Sequence, residues 1–288
     1  MIILDGKKLS IKIKQNLKNK ISILKNKINR QPGLAIILVG NRPDSKVYVR
    51  MKKRACSEVG IINFDVVFPE DVSQVQLEDE IKKMNKNPNI DAILVQLPLP
   101  SHINTQKVLS EVSIYKDVDG FHTENVGKLT LNSNNSIWNA PCTPCGCIEL
   151  LEHYNISLEG KNVVIIGRSN IVGLPLSLLL LHRNATVTVC HSKTKNLYDY
   201  TQMADILIVA CGSPKLINKN HIKKNVVILD IGINKVRANN KKGYKLVGDV
   251  DYDNVLDKVE AITPVPGGIG PMTIAMLLKK TVLFASDL

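Results

Sequence analysis

The chain has 288 residues, 44% hydrophobic and 4% aromatic, with a formal net charge of +12, a length that points to two modest domains with cores of Val, Ile and Leu. Its Lys and Arg are dispersed through amphipathic segments, which disfavours a nucleic-acid or membrane-surface protein and favours small anionic ligands or plain solubility. The six cysteines read as reduced thiols of a cytoplasmic protein, the apolar start Ile2-Ile3-Leu4 is too short for a signal core, and no uncharged run downstream is long enough to span a bilayer.

Residues 8 to 29 carry Leu9, Ile11, Ile13, Leu17, Ile21, Leu24 and Ile28 at mostly helical spacing, and Gln31-Pro32-Gly33 ends the pattern. An apolar strand, 34 to 40, precedes a helix from Asp44 to Gly60, with Asp44 or Ser45 as its cap and Gly60 as its stop. On that helix Tyr48, Met51, Ala55, Cys56 and Val59 form an apolar stripe, and Lys52 falls inside it, one turn after Tyr48. A lysine on a buried face loses hydration, which equips it for acid–base chemistry near neutral pH. The competing reading is a lysine whose stem lies on the core edge while its ammonium reaches water.

A strand over 62 to 68, a helix over 73 to 85, and a strand from Asp91 follow. That last strand is apolar on both faces and delivers Gln96 at its carboxyl end, where open α/β sheets bind ligands. Asp117 and Asp119 alternate before Gly120, so one carboxylate faces a pocket or an Asx-type turn. A polar stretch, 132 to 136, marks a domain boundary, and Cys142-Thr-Pro-Cys-Gly-Cys opens the next helix. Cys142, Cys145 and Cys147 lack both a thioredoxin-like pattern and a second cysteine pair for zinc, so they read as packed thiols with no metal.

Lys161 to Ile166 is a buried strand, Gly167-Arg-Ser-Asn-Ile-Val-Gly a tight turn, and Leu174 to Leu181 a helix. The turn is an imperfect dinucleotide fingerprint, with Ser169 and Val172 where the second and third glycines would stand. An NAD site places an acid about 20 residues further on; His191-Ser192-Lys193-Thr194 stands there instead, and a hydroxyl beside cations suits the 2′-phosphate of NADP. Strands over 205 to 210 and 225 to 231 end in Gly-containing turns, and the loop Thr263-Pro-Val-Pro-Gly-Gly-Ile-Gly-Pro-Met-Thr leads into a helix over 272 to 284.

Together Ser45-x-x-Tyr48-x-x-x-Lys52, Val95-Gln-Leu-Pro-Leu-Pro, Lys116-Asp-Val-Asp-Gly, Pro141-Cys-Thr-Pro-x-Gly, Gly167-Arg-Ser-x-x-Val-Gly-x-Pro and Pro264-Val-Pro-Gly-Gly-Ile-Gly-Pro-Met-Thr resemble the bifunctional methylenetetrahydrofolate dehydrogenase/cyclohydrolase family over the whole chain. The resemblance implies an α/β chain of two domains. One, residues 1–140 and 271–288, is a three-layer α/β catalytic domain to which the carboxyl-terminal helix returns; the other, residues 141–270, is a Rossmann-like NADP-binding domain.

It implies Lys52 as the catalytic lysine, Tyr48 against the folate rings, Gln96 tuning the lysine and Asp119 on the pterin, with Ser45, Leu97, Pro264, Gly267 and Gly268 completing the folate site. For NADP it implies Thr143, Gly167, Arg168, Ser169, Val172, Gly173, His191, Ser192, Thr194, Cys211, Gly212, Ile233 and Thr273. The expected activity is oxidation of methylenetetrahydrofolate followed by hydrolysis to 10-formyltetrahydrofolate, in a homodimer serving one-carbon metabolism and purine biosynthesis. The runner-up is a shikimate-type two-domain NADP dehydrogenase, against which the Tyr48, Lys52, Gln96 and Asp119 set argues.

Overall fold

A computed structural model describes residues 1–132, 136–240 and 243–286; most of the polar boundary loop expected at 132 to 136 lies outside the described residues. In chain order the elements are β1 (Ile2–Ile3), α1 (Gly6–Ile28), β2 (Gly33–Val39), α2 (Pro43–Val59), β3 (Ile62–Phe68), α3 (Gln74–Lys86), β4 (Ala92–Val95), α4 (Thr105–Ser110), α5 (Thr123–Thr130) and α6 (Cys142–His153). Then come β5 (Asn162–Ile166), α7 (Gly173–Leu181), β6 (Thr186–Cys190), α8 (Leu197–Met203), β7 (Ile206–Val209), β8 (Val226–Asp230), β9 (Asn234–Arg237), β10 (Tyr244–Val247), α9 (Tyr252–Val255), β11 (Val259–Ile262) and α10 (Ile269–Ser286). The chain divides into two compact units, one of Ile11–Cys142 with Ile274–Leu288, the other of Met1–Ser10 with Thr143–Thr273.

The first unit is built on a three-stranded parallel sheet in the order β3-β2-β4. The central strand β2 has a neighbour on each side and every one of its residues is buried, which is why its sequence is an unbroken apolar run. α3 starts at a capping box between Ser73 and Gln76, and its Leu77, Ile81 and Met84 pack with Ile37 and Ile93 of the sheet. The entry to β4 is tied by the buried Asp91, which accepts a forked pair of bonds from Arg30 (2.8 and 2.6 Å) and one from the Gly33 N–H (2.7 Å).

The second unit holds a six-stranded parallel sheet in the order β1-β11-β8-β7-β5-β6. The chain runs from β5 outward to β6 and then returns to β7 on the other side of β5, so the strand order reverses between β5 and β7 and opens a crevice at their carboxyl ends. β1 pairs with β11, and the Leu4 N–H donates to the Ile262 carbonyl (2.9 Å). The first ten residues therefore group with this sheet, a departure from the 1–140 boundary, because a two-residue strand carries no periodicity to read.

Three further details differ from expectation. α2 begins at Pro43 and has Arg42 as its N-cap without a side-chain bond; Asp44 instead pairs with Arg42, while Gly60 does close the helix. On α1, Ile11 is 44% exposed while Leu9, Ile13, Leu17, Ile21 and Leu24 are buried. α10 starts at Ile269, before the expected position 272, since Ile269 and Met272 are both buried and Pro271 is tolerated in a first helical turn. By length and composition α10 could cross a membrane, a test that a buried core helix also passes, and 56% of it is buried within the protein.

Candidate active site

In the three-stranded unit, α2 turns Ser45, Val49, Ala55, Cys56 and Val59 inward. Tyr48 (39% exposed) and Met51 (48%) lie outside that stripe, and Lys52 sits at its half-buried margin. The inward face is thus rotated from the one expected, because Ser45 and Val49, not Tyr48 and Met51, are the residues of the first turns that are buried. Lys52 Nζ donates to Gln96 Oε1 at 2.9 Å. The orientation of the Gln96 amide is set independently, since its Nε2 donates to the Leu97 carbonyl (2.8 Å) and its backbone N–H to the Ile37 carbonyl (2.9 Å), leaving Oε1 to face the lysine.

Asp119, partly buried, completes the group; it sits in a turn closed by the Gly120 N–H on the Asp117 carbonyl (3.3 Å), in place of the expected extended alternation with Asp117. Burial raises its carboxyl above the usual range, and the charges of Lys52 and Lys280 oppose that rise. Asp117 serves the backbone instead: it is buried and accepts from the His122 N–H (2.8 Å) and from Asn125 Nδ2 (2.9 Å). The structure therefore assembles Lys52, Gln96 and Asp119, with Leu97 half-buried next to Gln96 and Ser45 buried on α2. Pro264, Gly267 and Gly268 belong to the six-stranded unit, where the Gly268 N–H donates to the Pro264 carbonyl (2.8 Å).

At the carboxyl edge of the six-stranded sheet, the turn after β5 is shaped by close backbone approach. Gly167 has φ of +123°, and a methyl group there would collide with the Ala210 carbonyl; one on Gly173 would collide with the Gly167 carbonyl. Ser169 Oγ accepts from the Val172 N–H (3.2 Å), and Arg168 and Ser169 are exposed. After β6, His191 and Thr194 close a tight turn: the Thr194 N–H donates to the His191 carbonyl (2.8 Å) and the His191 N–H to Thr194 Oγ1 (2.9 Å). Ser192 and Lys193 project from it into solvent.

Thr143 and Thr273 meet through their hydroxyls at 2.9 Å. Cys211, Gly212 and Ile233 follow β7 and β8 and are exposed.

Two residues not singled out by the sequence hold this edge from behind. Asp249, fully buried, accepts from the N–H groups of Cys211 (2.8 Å) and Gly212 (2.9 Å) and from Asn234 Nδ2 (2.8 Å). Asp230 accepts from the N–H groups of Gly232 (3.1 Å), Asp249 (2.9 Å) and Val250 (2.9 Å). Burial pushes the Asp230 carboxyl up to about 7 in spite of those donors. The available signal was an acid closing the apolar run Val226 to Leu229, and another following Gly248. Cys142, Cys145 and Cys147 are buried, and burial raises the Cys147 thiol, which makes it a poor nucleophile.

The glycine cradle, the start of α7 and the exposed Arg168, Ser192 and Lys193 fit a phosphorylated dinucleotide: a side chain at either glycine would fill the space against which the backbone is pressed. Fold and site thus define a dinucleotide-binding α/β oxidoreductase that carries, in its other unit, a lysine oriented by a hydrogen bond to an amide oxygen.

Residues 4–119 match the tetrahydrofolate dehydrogenase/cyclohydrolase catalytic domain, and residues 141–287 the NAD(P)-binding domain of the same family. The chain is 53% identical over 287 residues to the bifunctional protein FolD of Nitratiruptor sp., covering 100% of this chain and 99% of that one. It is similar to the crystal structure of the bifunctional enzyme FolD from Campylobacter jejuni (TM-score 0.95, 48% identity, 100% of this chain and 99% of that one). It is also similar to the Trypanosoma brucei enzyme complexed with NADP cofactor and inhibitor (TM-score 0.95, 38% identity, 100% and 98% covered). The chain belongs to the tetrahydrofolate dehydrogenase/cyclohydrolase family.

Proposed function

We propose that this chain oxidises 5,10-methylenetetrahydrofolate to the 5,10-methenyl cation with NADP and hydrolyses that cation to 10-formyltetrahydrofolate, two steps of one-carbon metabolism. The observation that carries the reading is the 2.9 Å bond from Lys52 Nζ to Gln96 Oε1, in the same unit as the exposed ring of Tyr48. Family membership and the NADP complex of the Trypanosoma brucei relative support the cofactor.

Tyr48 offers a flat face to the folate rings, and Asp119 accepts N–H donors of the pterin edge. Ser45, Leu97, Pro264, Gly267 and Gly268 make further folate contacts. Gly167, Arg168, Ser169, Val172 and Gly173 hold the cofactor phosphates, His191, Ser192 and Thr194 the 2′-phosphate, and Thr143, Cys211, Gly212, Ile233 and Thr273 the remainder. NADP, when bound, supplies the hydride acceptor.

Loss of hydride from the methylene carbon leaves a cation shared by N5 and N10 and moves no proton, so the protein's part in oxidation is positioning. Hydrolysis adds one water to that carbon, breaks its bond to N5 and releases one proton. Lys52 Nζ takes a proton from the attacking water and gives one to N5, while Gln96 Oε1 fixes the direction of the amine. The working form is a cytoplasmic homodimer whose product feeds purine biosynthesis. The uneven spacing of the six cysteines, in a chain long enough to need no disulfide staples, supports a reducing compartment, and the dimer rests on the family resemblance.

The test is the absorbance of methenyltetrahydrofolate formed with NADP or NAD. Formation with NADP, then decay on hydrolysis, is expected. No methenyl product with either cofactor, together with reduction of dehydroshikimate, would favour the shikimate-type alternative.

A further inference from the structure

Lys280 of α10 is fully buried and heads the largest side chains in that state. Its helix neighbours Leu277, Leu278 and Val282 are buried apolar residues, and an ammonium among them loses hydration that only a well-placed partner offsets. Its Nζ donates to the Ala140 carbonyl (3.0 Å) and lies 5.9 Å from the centre of the Phe284 ring.

The segment it grips is the one that backs Asp119. Two residues beyond Ala140, the Cys142 thiol reaches the Val118 carbonyl (3.5 Å) and the Asp119 carboxyl, and the Asn139 carbonyl is pressed against Gly120. The charged and titratable groups facing Asp119 are Lys52 from α2, Lys280 from α10, Asp117 from its own segment and Cys142 from the start of α6.

Of the two cations, Lys52 is bonded to Gln96 and hands protons to and from substrate in the proposed hydrolysis, so its charge changes during turnover. Lys280 is bonded instead to the Ala140 carbonyl. We propose that Lys280 is a positioning residue for folate recognition, a buried cation that pins the segment behind Asp119 and, from the buried side, faces the carboxyl that accepts pterin N–H groups. The inference rests on the reading that Asp119 meets the pterin.

The experiment compares Lys280→Met, Lys280→Arg and Asp119→Asn with the parent enzyme, measuring kcat and the KM values for methylenetetrahydrofolate and NADP across pH, together with Tm. In folded Lys280→Met the acid limb of kcat/KM for folate should move up by roughly one pH unit, as loss of a nearby opposite charge requires. Its folate KM near pH ~6 should rise roughly threefold to tenfold with the NADP KM unchanged, and Lys280→Arg should restore the parent limb. If Lys280→Met does not fold, Lys280→Gln, which keeps a donor for Ala140, is read in the same way.

An unmoved acid limb and folate KM in a folded charge-free variant would overturn the proposal, even with Tm lowered, since Lys280 would then be structural only. An Asp119→Asn enzyme with the parent folate KM would instead remove the pterin role of Asp119, and with it the basis for assigning Lys280 to recognition.

Discussion

Under the proposed function the two units meet their ligands in opposite ways. In the three-stranded unit the proposed contacts are side chains: Lys52, Gln96 and Asp119 stand on a helix, a strand end and a turn, and the backbone merely carries them. In the six-stranded unit the proposed contact surface is backbone, pressed close at Gly167 and Gly173, while Asp230 and Asp249 hold the turns from inside. A side-chain site fails when a functional group is lost. A backbone site fails when space is filled or a buried support is removed.

The sharpest break of the first kind is Lys52→Met, which keeps the stem and removes the amine. Methenyl hydrolysis should fall by roughly 10²-fold or more, the usual scale of lost acid–base catalysis, and the oxidation rate by less; steady-state assays of both activities on folded protein check this. The sharpest break of the second kind is Gly173→Ala, whose added methyl meets the Gly167 carbonyl. Displacing that turn costs about 1–3 kcal/mol, so NADP affinity should fall by up to roughly 100-fold in a fluorescence titration.

A pH experiment probes the buried supports. The folded-state value of Asp230 is raised from 3.8 to about 7, so its contribution to stability is fully present below about pH 4 and lost as pH rises through about 7. Denaturant unfolding across that window should show a downward slope of up to about 1.4 kcal/mol per pH unit from this group, absent in Asp230→Asn whatever its absolute stability. An identical slope in the variant would remove Asp230 as the source. The smallest effect is Ser192→Asp, which places a carboxylate on an exposed turn. At about 1 kcal/mol for an exposed charge contact, NADP should weaken roughly fivefold while NAD is spared, and equal parent kinetics with both cofactors would contradict the role of that turn.

This contrast also explains what could be read from the residues alone. Lys52 and Gln96 were legible because each is a polar residue in an apolar pattern, and the glycine turn because it sits between a buried strand and a helix. The rotation of α2 was not: helical periodicity places Tyr48 and Met51 beside Ala55, but whether they or Ser45 and Val49 face the core depends on packing beyond the helix. Asp230 and Asp249 bind backbone N–H groups up to 38 residues away, a relation with no local signature. Nothing local distinguishes Lys280 from the lysine before it, and only the fold shows that Lys280 is buried. The antiparallel pair β9 and β10 and the short β1 were too brief or too polar to stand out.

The central claim is that hydrolysis belongs to the side-chain site and cofactor holding to the backbone site. It is tested most directly by supplying methenyltetrahydrofolate without any cofactor and following its decay with Lys52→Met and Gly173→Ala in parallel. The account predicts near-parent hydrolysis for Gly173→Ala and a loss of roughly 10²-fold or more for Lys52→Met. Equal losses in the two folded variants, or undiminished hydrolysis without the Lys52 amine, would contradict it.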